Sequence, residues 1–208
     1  ARDPAERETA TWGEEFQRLQ AQRELYQDRF ILLSDGPYSA VPASELGLDE
    51  TEWRQISLVL RRDHECAHYL TRRLFGSMRN NLLDELIADY TGMVGATGRF
   101  RAGWFLRFVG LEDFPRYRPG GRLDLYRGKP ALSDGAFRVL QALVKRAAEN
   151  LERFDAGLPP GPRGPEETAL LIAALASLRL EELAAEDAVE RLGRTVAEVR
   201  GRLRPAER

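Results

Sequence analysis

Apolar residues along this chain recur mainly at steps of three and four, the spacing that places side chains on one face of an α-helix. Trp12, Phe16, Leu19 and Leu25 mark an amphipathic helix over 5–29 within a highly charged stretch. Phe30-Ile31-Leu32-Leu33 breaks that period; stopped by Ser34-Asp35-Gly36-Pro37, it is the best strand candidate in the chain. After a loop holding Pro42 and Gly47, Asp49-Glu50-Thr51-Glu52 supplies an N-cap and first-turn acids to a long helix through Leu74, with Gly76 as its stop. Leu82, Leu83, Leu86, Ile87, Tyr90 and Val94 set out a second helix from Arg79 to Ala96, capped by Asn80 or Asn81. The connection between the two is so short that they are expected to lie side by side as an antiparallel hairpin.

Downstream, Trp104, Phe105 and Phe108 read as core, and 112–130 mixes Arg, Pro, Gly and Tyr in an ordered loop. Ser133 opens a further helix to about Phe154. The Pro/Gly run from Gly157 to Pro165 can propagate neither helix nor sheet. These signals predict a mainly α fold, α+β at most, in three parts: a helical domain over 1–155, a linker over 156–165, and a docked C-terminal helical segment over 166–208. Within that segment, Glu186 to Arg200 reads as a helix, a tight turn at Gly193 and a second helix capped by Thr195. Its acidic residues favour docking to a partner protein or to a second copy of the chain over contact with DNA.

Composition narrows the function classes. The chain's 208 residues carry 31 Lys+Arg against 33 Asp+Glu, a formal charge of −2, so nothing draws it towards phosphate backbones or anionic lipid. No apolar run approaches the roughly 20 residues that span a bilayer. A single cysteine, Cys66, excludes an intramolecular disulfide framework and any Cys-rich zinc module, which fits a reducing, cytoplasmic setting.

The chemistry concentrates in the first two long helices. The only two histidines of the chain stand in His64-Glu65-Cys66-Ala67-His68, an H-E-x-x-H string inside the first of them. Residues four apart share a helix face, so both imidazoles can present nitrogens to one metal, with Glu65 one step round. Cys66, about 200° away, is expected to face packing. On the second helix Glu85 and Asp89 are also four apart. If that helix folds back, Glu85 completes a two-His-one-carboxylate site with a position open for water, and Asp89 can accept the remaining N–H of a ligating histidine. Asp84 is the competing ligand, but it points about 100° from Glu85.

His64-Glu65-x-x-His68, sixteen residues, then Glu85-x-x-x-Asp89 resembles the gluzincin class of zinc metallopeptidases, the thermolysin-like clan. The resemblance spans about 26 residues of the 208. It implies His64, His68 and Glu85 as zinc ligands, Glu65 as general base and Asp89 as the support of a histidine. The implied activity is hydrolysis of a peptide or amide bond, with Glu65 taking a proton from zinc-activated water and returning it to the leaving group. The chain departs from the class in having no further histidine for the oxyanion, which leaves Tyr90, Tyr117, Tyr126 or an arginine. It also lacks a convincing edge strand to hold an extended peptide. The same ligand set serves non-haem Fe2+ oxygenases, the runner-up enzyme class, and a non-catalytic helical interaction module is the third reading. Arg116, Arg118, Arg122 and Arg127, with Tyr117 and Tyr126, form a basic cluster that could bind a carboxylate or phosphate and is expected to be a solvated loop.

Overall fold

The computed structural model describes residues 13, 14, 17, 30–75 and 82–203. Ala1–Leu32 and Leu33–Arg208 form separate compact units, and the second carries the architecture. Among the described residues it is built from seven α-helices and no strands: α1 (Glu50–Phe75), α2 (Leu82–Thr97), α3 (Ala102–Val109), α4 (Asp134–Ala156), α5 (Pro165–Ala176), α6 (Leu180–Leu183) and α7 (Ala188–Leu203). Short 3-10 turns at Tyr38–Ala40, Ala43–Leu46 and Arg122–Tyr126 lie between them. No helix of the described residues is long and apolar enough to cross a membrane.

α1 begins where Asp49 accepts hydrogen bonds from the backbone N–H groups of Thr51 and Glu52, both at 2.9 Å. Its buried stripe is more than half polar: Trp53, Leu60 and Ala67 share it with Ser57, His64, His68 and Thr71. α2 is apolar almost all round and buried along most of its length, the pattern of a helix enclosed by others. The two pack closely because α2 carries glycine where backbone meets backbone. A Cβ on Gly92 would stand 2.5 Å from the Leu60 carbonyl oxygen. Leu60 meets Gly92, His64 meets Asp89 and His68 meets Glu85, so the chain directions oppose each other along one register.

The other helices wrap this pair. α3 brings Trp104 edge-on to Trp53, with ring centroids 5.6 Å apart. α4, capped by Ser133, packs on α3, α6 and α7, and α5 on α2, α1 and α7. The Pro/Gly stretch before α5 returns to the end of α2, where Gly161 N–H donates to Gly98 C=O at 3.1 Å.

Two expectations are corrected. Phe30 to Leu33 forms no strand: it has no ladder partner, and Phe30 and Leu32 are exposed. Gly193 makes no turn either, because α7 runs unbroken through it and Thr195 Oγ1 donates to the Arg191 carbonyl instead of capping a new helix. A lone glycine does not stop a helix whose flanking residues favour it. The helix expected over 5–29, apart from residues 13, 14 and 17, the stop at Gly76 and the caps at Asn80 and Asn81 lie outside the described residues.

Two glycines give opposite expectations in urea denaturation. Gly92→Ala should lose about 1–3 kcal/mol, the usual cost of overpacking a tight contact. Gly193→Ala, at an exposed site with nothing within 4 Å of its Cβ, should gain roughly 0.5–1 kcal/mol if α7 is continuous. A loss at Gly193 would restore the turn.

Candidate metal centre

Four pieces of chain meet at one buried point. α1 supplies His64 and His68, 5% and 8% exposed, and α2 supplies Glu85 and Asp89 one turn apart. The turn Tyr38–Ala40 supplies Tyr38, and the turn Arg122–Tyr126 supplies both its ends, again one turn apart. The Nε2 atoms of His64 and His68 are 3.0 Å apart. Glu85 faces both, Oε1 at 3.4 Å from His68 Nε2 and Oε2 at 3.8 Å from His64 Nε2. His64, His68 and Glu85 each offer a ligand atom within 4.8 Å of the others, and Asp84 is not in that group.

Those separations suit a tetrahedral cation. Zinc bonds of about 2.0–2.2 Å to nitrogen and oxygen set neighbouring donors roughly 3.3–3.5 Å apart, the middle of the observed range. Hydrogen-bond counting agrees. The Asp89 carboxylate can only accept; Tyr38 Oη donates to its Oδ1 at 2.5 Å, and Arg122 Nη2 donates to its Oδ2. With its proton spent, Tyr38 Oη accepts from Arg122 Nη1 at 3.0 Å and from His64 Nδ1 at 2.8 Å. His64 Nδ1 therefore carries the proton, also directed at Asp89 at 2.9 Å, and Nε2 is left as a lone pair. That lone pair and the Glu85 carboxylate compete for a single proton on His68 Nε2. A cation would satisfy all three donors at once, so the residues fit a metal such as zinc.

The surroundings bear the marks of this crowding. Burial pulls the His68 imidazole down, but the hydrogen bond and charge of Glu85 outweigh it and leave the group raised. Glu85 is lowered, its burial overcome by His68 and Arg122. Burial would likewise raise Asp89, yet Arg122, His64 and Tyr38 hold it at about 2, below its ordinary value of 3.8.

The other sequence candidates fall in different places. Glu65 is exposed beside the site, close enough for His68 to feel its charge. Tyr126 lies near enough to Glu85 that burial and that carboxylate push its phenol up. Tyr90 and Tyr117 do not join the site. The Tyr90 hydroxyl donates to buried Asp155 at 3.0 Å, and the Tyr117 hydroxyl donates to the Gly121 carbonyl at 2.8 Å. Cys66 does not pack in the core: it is exposed, on a pocket of about 310 Å³ between α1, α2 and α5 that includes none of the three ligand candidates.

The basic loop also resolves differently from expectation. Arg118 pairs with Glu112 and Arg127 with Asp134, while Arg122 turns inward to Asp89. Arg122 and Tyr38 are the site residues that periodicity misses, since both sit in irregular chain remote from the motif. The sequence traces are the basic cluster that contains Arg122 and the spacing: Arg122 and Tyr126 are four apart, as are Asp89 and Glu85.

Residues 1–187 match the model of a family described as "Family of unknown function (DUF7005)". The chain belongs to this family. No curated protein and no solved structure matches it. The match takes in every residue of the candidate site, from Tyr38 to Tyr126, and stops just before α7.

A carboxylate depressed in the folded state stabilises the fold above its unfolded value, and that contribution is lost as pH falls through the folded one. Metal-free protein should therefore lose stability steeply from about pH 4 to about pH 2. Asp89→Asn should begin less stable and lose less across that window in urea melts. Equal slopes would place the acid-sensitive carboxylates elsewhere.

Proposed function

We propose that the chain is a zinc-dependent hydrolase acting on a peptide or amide bond. The observation that carries this reading is the convergence of His64 Nε2, His68 Nε2 and the Glu85 carboxylate at separations of 3.0–3.8 Å, with Glu65 exposed at the next position. The likeness of His64-Glu65-x-x-His68 and Glu85-x-x-x-Asp89 to the gluzincin pattern supports the same assignment.

His64, His68 and Glu85 would hold the ion, which when bound supplies Lewis acidity to a water and to the substrate carbonyl. The chain's own residues do the rest. Asp89 and Tyr38 keep the proton of His64 on Nδ1, so its Nε2 is always ready to bind. Glu65 takes a proton on its carboxylate as water attacks and delivers it to the departing nitrogen, the job of a general base that becomes a general acid. Its exposure leaves that carboxylate open to a substrate approaching from solvent.

Elemental analysis of protein loaded under zinc-replete conditions should find one zinc per chain, lost in His64→Ala and in Glu85→Ala. Glu65→Gln should keep the zinc and lower turnover of peptide or amide substrates about 10²–10⁴-fold. Unchanged turnover would remove Glu65 from the reaction. Iron in stoichiometric amount would replace the hydrolase with an O2-using enzyme, and protein that takes up no metal would leave a helical interaction module.

A further inference from the structure

Beyond the ligands, Tyr38 draws attention because the chain accepts strain to place it. Its 3-10 turn holds Ser39 at φ 52° and Ala40 at φ 55°, two successive residues with side chains in the left-handed region. Such conformations persist only where the surroundings over-determine them, and they cluster at functional sites. Tyr38 is over-determined. Its N–H donates to Ser57 Oγ at 3.0 Å, its ring stands edge-on to Phe108 at 5.1 Å and to His64 at 5.8 Å, and Arg61 and Arg122 lie over it.

All of this delivers one hydroxyl to the point where His64, Asp89 and Arg122 meet. We propose that Tyr38 and Arg122 are positioning residues for the metal, which together clamp Asp89 onto His64 Nδ1 so that Nε2 alone faces the cation.

The division of labour follows from hydrogen-bond capacity. Asp89 is fully buried, and an unpaired carboxylate there would seek a proton. Arg122 spans Asp89 Oδ2 and Tyr38 Oη with two nitrogens of one planar fork, which a lysine ammonium cannot reproduce. Tyr38 spends its proton on Oδ1, leaving its oxygen as an acceptor for His64. Remove that hydroxyl and Asp89 loses a donor, the fork loses one of its ends, and the imidazole gains freedom to rotate. Arg122 Nη1 also lies 3.8 Å from Glu85 Oε2, so the same clamp reaches the third ligand. Partners of this kind change metal affinity about 10–100-fold when removed.

This inference rests on the reading of His64, His68 and Glu85 as metal ligands, and the experiment separates the two. Wild type, Tyr38→Phe, Arg122→Lys and His64→Ala are titrated with Zn2+ against a chromogenic chelator, and their Co2+ forms are compared by visible absorption. Circular dichroism and metal-free melting curves report the fold. Tyr38→Phe keeps the ring and its packing, so it should fold as wild type does while binding Zn2+ about 10–100-fold more weakly and altering the Co2+ bands. Arg122→Lys, which keeps the charge and loses the fork, should weaken binding in the same direction and provides the answer if Tyr38→Phe does not fold. Both variants binding within twofold of wild type, while His64→Ala abolishes binding, would overturn the clamp and leave the ligand assignment standing. A wild-type protein that binds neither Zn2+ nor Co2+ would overturn the ligand assignment itself.

Discussion

An ionised carboxylate with no solvent exposure is tolerated inside a helical core only when its lone pairs are engaged, and Asp89 meets that condition with groups from three other parts of the chain. Tyr38 comes from a turn before α1, His64 from α1 and Arg122 from a turn after α3. The core around Asp89 can close only when all three arrive together. This makes the site part of the folding problem: the groups that orient the histidine are the same ones that make the buried charge acceptable.

The helix pair makes this possible through backbone proximity. Gly92 lets α2 press against the Leu60 carbonyl, and the register that follows sets Asp89 opposite His64 and Glu85 opposite His68. One residue further along, Tyr90 points to a different side and joins a second buried carboxylate, Asp155, which also accepts from the Phe100 N–H and from Arg163. Neighbouring positions on α2 thus anchor two separate polar networks, one towards α1 and one towards α4 and the Pro/Gly loop. Both networks tie irregular chain to the helical core, which is how loops rich in glycine and proline come to have defined places.

At the centre, the protein without metal balances one proton among three basic groups, His64 Nε2, His68 Nε2 and the Glu85 carboxylate. A divalent cation relieves that competition in a single step, because it accepts lone pairs from all of them. Arg122 offsets the charge of Asp89 beside the candidate ligands. Glu65 stays outside this buried shell. Its exposure separates the group that would move protons from the groups that would hold an ion.

Much of this was legible in the linear pattern. The three-and-four spacing of apolar residues revealed α1, α2 and α4, the Asp49 and Ser133 caps marked two of their starts, and two histidines four apart with Glu85 and Asp89 four apart pointed to one shared centre. These signals are local, and local geometry carries them: a helix face is determined by its own sequence. The same reasoning makes a strand of Phe30 to Leu33, a turn of Gly193 and a packed residue of Cys66, and leaves the choice among Tyr90, Tyr117 and Tyr126 open, because partners and burial are properties of the assembled chain. Tyr38 lay beyond its reach altogether, and Arg122 was legible only as a member of a basic cluster. Each sits in aperiodic chain, 26 residues before His64 in one case and 33 residues after Asp89 in the other, and what selects them is the need of a buried carboxylate for donors. The sequence by itself determined the helices and the candidate ligand types; only tertiary structure decided which side chains would surround them, since a hydrogen bond across such distances exists only once the core has closed.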